Sequence, residues 1–124
     1  MDDYLTQFLH SLADYEEGFG DAEQIGPHSR SRVGDTPLHI AAIQGNVRAI
    51  ALLLNAGANI QATGETGYTP LHYAVSQQRP EAVRFLLERG ADLSQRSETG
   101  ETPAELAEHF HNHEILRLLQ QRTA

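Results

Sequence analysis

The chain has no cysteine and no lysine, and ahead of Arg30 it contains no basic side chain except histidine. Without cysteine there are no disulfides, thiolate metal sites or thiol chemistry, and the protein needs no particular redox compartment. All nine cationic residues are arginines, which suits a GC-rich, bacterial genome. No run of 18 or more apolar residues occurs, and the N-terminus begins Met1-Asp2-Asp3, acidic where a secretory signal is basic. These absences set the expectation of a cytoplasmic protein without a membrane span or signal peptide. Nor does the chain contain a G-x-S-x-G elbow, a phosphate-cradling glycine loop or an H-E-x-x-H pair. Its carboxylates are scattered rather than paired for acid/base work, so no catalysis is expected.

The net charge is −8 over 124 residues, and it is unevenly distributed. Asp2, Asp3, Asp14, Glu16, Glu17, Asp21 and Glu23 all precede the first arginine, Arg30, whereas the remainder is close to neutral. A phosphate-binding footprint is basic, so nucleic acid is not an expected partner. An acidic segment favours encounter with a basic protein, or simply solvates an exposed helix.

What the chain does have is a period. Thr36-Pro37, Thr69-Pro70 and Thr102-Pro103 recur at one constant interval, with Gly34, Gly67 and Gly100 two places before each threonine. Leu38-His39 and Leu71-His72 follow the first two, and Gly57-Ala58-Asn59 and Gly90-Ala91-Asp92 recur at a common offset. Such a period marks a stack of units that cannot each bury an apolar face alone.

Each threonine is placed to N-cap a helix, and the following proline occupies the first turn, where its missing N–H costs nothing. Leu38, Ala41 and Ala42 form a short apolar face. Gly45-Asn46 breaks the chain, and Val47, Ile50, Leu53 and Leu54 recur at helical spacing until Gly57. The second unit repeats this with Leu71, Ala74, Val83, Leu86, Leu87 and Gly90, its second helix opening at Pro80. In the third, Ala104-Glu105 replaces Leu-His and Gln120 replaces the third leucine, as suits a terminal cap.

The pattern G-x-T-P-L-H-x-A-A-x-x-G-N, followed by a leucine run and G-A-N/D, resembles the ankyrin repeat over residues 32–124. The resemblance implies an all-α solenoid of helix–turn–helix pairs with hairpin-like loops. Its units would be 34–66 and 67–99, with a degenerate cap at 100–124. Before them, residues 1–20 place Leu5, Phe8, Leu9, Leu12, Tyr15 and Phe19 on one helical face, the signature of an amphipathic N-terminal cap. Residues 21–33 form a linker. The stretch from Gly18 to Thr36 is longer than its counterpart from Gly57 to Thr69, and this extra length reads as slack rather than a binding loop.

Seven histidines raise the question of a metal. For His39 and His72 the resemblance implies a structural role, tying the helix start to the neighbouring turn. One continuous helix would set His109 and His113 on the same face, but His111 falls where Gly45 stands, in a turn. No metal or other cofactor is expected.

The resemblance also implies a binding face, formed by the hairpin tips and the exposed side of each first helix. It carries over to Arg32, Val33, Asp35, Ile43 and Gln44 in the first unit. Glu65, Thr66, Tyr68, Ser76 and Gln77 follow in the second, with Tyr73 beside them, and Glu98, Thr99, Glu101, His109 and Phe110 in the third. Ile43, Tyr68 and Phe110 are large and apolar where the stack has no evident need of them, flanked by Asp35, Glu65, Glu98 and Glu101. Aromatic anchors within a charged rim are the make-up of an interaction hot spot. The expectation is a monomeric protein-binding module with Tyr68 and Phe110 as anchors. The alternative is an immunity-type inhibitor of a basic toxin or nuclease.

Overall fold

The computed structural model describes residues 3–14, 18–20 and 24–123. Seven helices and no strand occur among them: α1 (Asp3–Ser11), α2 (Pro37–Gln44), α3 (Val47–Asn55), α4 (Pro70–Ser76), α5 (Pro80–Glu88), α6 (Pro103–His109) and α7 (His113–Thr123). None is long and apolar enough to cross a membrane. The helices form two layers. In the inner layer α2 packs on α4 and α4 on α6, while in the outer layer α1 packs on α3, α3 on α5 and α5 on α7.

The local chemistry recurs with the period. Thr36, Thr69 and Thr102 are extended N-caps whose hydroxyls accept from the backbone N–H three residues on, and each completes a capping box with a proline in the first turn. The inner helices end at Gly45, Gln78 and His111, all left-handed, with φ of 69°, 58° and 56°. His111 therefore sits in a turn, and His109 and His113 belong to different helices. The third helix and the last begin with asparagine caps, Asn46 to the N–H of Ala49 at 3.1 Å and Asn112 to that of Ile115 at 3.0 Å.

Inner helices carry alanines where units meet. Ala41, Ala42, Ala74 and Ala107 are fully buried, so neighbouring backbones approach closely, and Leu38, Ile50, Leu53, Leu71, Leu86, Leu106, Ile115 and Leu119 fill the space between layers. At about 25 cal/mol per Å2, apolar burial of this kind drives the stack together.

The N-terminal segment departs from expectation in its extent. α1 ends at Ser11 and a 3-10 turn follows over Leu12–Asp14. Phe19 lies in irregular backbone between Gly18 and Gly20, whose φ values of 67° and 92° a right-handed helix excludes, yet its ring still packs on the core. Tyr15 lies outside the described residues. α1 buries Leu5, Phe8 and Leu9. Tyr4 fastens it to the first unit, its hydroxyl donating to Asn46 Oδ1 at 3.1 Å and its ring lying 4.1 Å beneath the Arg48 guanidinium. Residues 24–33 are not slack: Ile25 is 7% exposed and joins the core, and Ser31 is buried at the foot of the first hairpin.

Candidate functional site

The hairpin tips are built to one plan. Ser31 N–H donates to Asp35 O at 2.7 Å, Gly64 N–H to Tyr68 O at 2.8 Å and Ser97 N–H to Glu101 O at 2.9 Å. Gly34, Gly67 and Gly100 close each tip by donating back to residues 31, 64 and 97. Gly67 is the position where only glycine fits: its φ is 73°, and a Cβ there would lie 2.8 Å from the backbone nitrogen of Glu98 in the next tip. That nitrogen donates to Thr66 O at 3.0 Å, so the second and third tips are joined backbone to backbone.

Two histidines extend this tie inward. Thr36 N–H donates to His39 Nδ1 at 2.9 Å, and His39 Nε2 lies 2.9 Å from both Ala62 O and Tyr68 O. Carbonyls only accept, so Nε2 carries the proton and Nδ1 is the bare nitrogen. His72 repeats the arrangement, with Thr69 N–H on Nδ1 at 3.2 Å and Nε2 on Glu101 O at 2.9 Å. Burial holds both imidazoles below their ordinary pKa, so both are neutral. Their role is to bind the start of one unit to the hairpin of the next. In the third unit Glu105 keeps the capping box and turns to Arg96 at 2.8 Å instead. The bonds it accepts from Thr102 hold its carboxyl below the usual range.

Among the sequence-derived binding residues, the structure separates three groups. Arg32, Glu65, Glu98, Gln44, Gln77, Thr66, Thr99 and His109 are exposed on the tips and inner helices, and Val33, Ser76 and Glu101 are half-buried there. Phe110, at the C-cap of α6, is 42% exposed and is the sole exposed large hydrophobic residue among those described. The His109 ring stands edge-on to it at 5.4 Å.

Asp35, Tyr68, Tyr73 and Ile43 differ from expectation. Asp35 is 4% exposed and belongs to no rim. Its Oδ1 accepts from Glu65 N–H at 3.0 Å and from the Tyr73 hydroxyl at 2.9 Å, both in the next unit. Tyr68 is half-buried, stacked on His72 at 5.2 Å and edge-on to Tyr73 at 5.3 Å, and Tyr73 in turn stands edge-on to His39 at 5.5 Å. Burial raises the pKa of both tyrosines, helped at Tyr68 by Glu101 and at Tyr73 by Asp35. Ile43 packs on the core. All four make contacts within the stack.

Several structural contributors escaped the sequence reading. Gly64 stands where Ser31 and Ser97 stand in the other tips, because the Asp35 carboxylate occupies the space its side chain would take. Arg30 Nη1 donates to Gly34 O at 2.7 Å and Thr63 O at 2.8 Å, and Arg96, two periods on, donates to Gly100 O at 2.7 Å. Their recurrence at twice the period was the available signal. A shallow hollow of about 260 Å3 lies between the α2–α3 and α4–α5 turns, lined by Gln44, Gly45, Gln78 and Arg79. Arg79 is held there by donating Nε–H to Ile43 O at 3.0 Å. Among the described residues no group of three or more His, Asp or Glu side chains is gathered as a metal site.

No curated protein is similar enough to this chain to count as a match. The family model of ankyrin repeats matches residues 5–97 in three copies. That span takes in α1, which packs on α3 just as α3 packs on α5, in the place of the outer helix of a preceding unit. Period, capping boxes, inter-unit histidines and family model agree, and the chain belongs to the ankyrin-repeat family.

Proposed function

We propose that this protein is a non-enzymatic binding module that holds a protein partner on its inner face, with Phe110 as the apolar anchor. Ankyrin repeats are generally protein–protein interaction modules, and what distinguishes this one is its surface. The observation carrying the reading is the exposure of Phe110, a large ring 42% open to solvent at a place where the first two units carry glutamine. A partly exposed phenylalanine on the same inner face as the exposed acid Glu98 suits a partner with an apolar side chain and basic groups of its own.

The test is recovery of the partner from native cells with the wild-type chain and with Phe110→Ala. A partner retained by the wild type and lost from a normally folded Phe110→Ala variant supports the reading. Equal retention by both moves the site elsewhere.

The clustering of seven acids ahead of Arg30 favours a second reading, an inhibitor of a basic protein such as a toxin or nuclease. It is distinguished by association that slows steeply as salt rises.

A further inference from the structure

We infer that the tip row Arg32, Glu65 and Glu98 reads a polyproline II segment of the partner bearing one acidic and then two basic side chains, every third residue. The inference rests on the reading that this face binds a protein, and it specifies what part of the partner is read.

The three residues occupy the same position in successive hairpins, one period apart, and all three are exposed. Among the described residues the one ion pair is Arg96–Glu105, so none of the three is engaged by another described side chain of opposite charge. Neighbouring tips follow the spacing of the packed inner helices, about 8–10 Å. A polyproline II chain has three residues per turn and a rise of about 3.1 Å, so every third side chain points the same way at about 9 Å intervals. A β-strand fails this match, because residues three apart point to opposite sides. Among extended chains, the charges therefore meet in register with the three-fold helix. Its acid faces Arg32, and its two bases face Glu65 and Glu98.

The probes are two proline-rich synthetic peptides of identical composition. One carries aspartate, arginine, arginine at every third position, and the other arginine, aspartate, arginine. Backbone NMR titration at about 10 mM salt, where exposed pairs are little screened, should show the first binding about tenfold more tightly, with shifts at the three tips. The doubly swapped protein Arg32→Glu with Glu65→Arg should reverse the preference, which loss of folding cannot do. Equal affinity for the two peptides, or an unreversed preference in the swapped protein, overturns the ladder. Should equal affinity come with shifts around Phe110, the inner face remains a binding surface. Absence of any shift on that face also overturns the ladder, while partner recovery with Phe110→Ala decides the reading it rests on.

Discussion

The Tyr73 hydroxyl reaches back across the boundary between units to donate to Asp35 Oδ1 at 2.9 Å. The same oxygen accepts the backbone N–H of Glu65. One buried carboxylate thus joins the inner helix and the hairpin of the second unit to the hairpin of the first.

Tyr73→Phe deletes the donor and leaves the carboxylate buried with fewer partners. Removing one member of such a bond should lower stability by about 1–3 kcal/mol. Urea unfolding of Tyr73→Phe, Asp35→Ala and the pair together measures this. The double variant should lose clearly less than the two single losses added, because they remove the same bond.

Serine occupies the position of Gly64 in the other two tips, yet Gly64→Ser should be destabilising by about 1–3 kcal/mol, since the Asp35 carboxylate fills that space. Combining it with Asp35→Ala empties the space, and the new hydroxyl can then accept from the N–H of Tyr68, as Ser31 does for Asp35 at 3.1 Å and Ser97 for Glu101 at 3.3 Å. Thermal melts should show the double variant no less stable than Asp35→Ala alone.

Acid should loosen the stack from near neutrality. His39 and His72 have depressed pKa values in the fold through burial, so below about 6.5 the unfolded chain takes up protons that the folded chain refuses. Their contribution is fully present above that pH and is lost as pH falls toward the folded values. Melting temperature should therefore drop between pH 7.5 and 5, and His72→Gln should show a shallower drop over that interval.

Phe110→Ala and Tyr68→Ala should part company. Phe110 is largely outside the packing, so its variant should melt within about 0.5 kcal/mol of wild type while partner affinity falls by about 1–3 kcal/mol. Tyr68 stacks on His72 and stands edge-on to Tyr73, and its loss should cost stability by at least the roughly 0.5–1.5 kcal/mol typical of an aromatic pair. Calorimetric melts and a binding titration on the same two variants separate the roles.

What was legible in the sequence follows from what repeats. The caps, the prolines and the leucine faces are set by residues within one unit, three copies make each visible, and the match of His111 to Gly45 placed it in a turn. The histidine ties were legible through the resemblance. Asp35, Tyr73 and Gly64 were not, because their roles exist only between two units that differ at equivalent positions. Asp35 reads as an exposed acid until Tyr73 and Glu65 are brought over it. Ile25 escaped for another reason: it stands one period before Ala58 and two before Ala91, but Gln24-Ile25-Gly26 lacks the G-A-N/D signature that announces those two.

The histidine ties also point one way. His39 and His72 each reach toward the C-terminus for the carbonyl that satisfies them, and Glu105 makes no such reach. A pull on the C-terminal helices that peels away the third hairpin strips His72 of its acceptor and weakens the unit behind it. A pull on α1 leaves both bridges untouched. The N-terminal helix can therefore detach with both bridges intact, whereas the third hairpin cannot leave without breaking one.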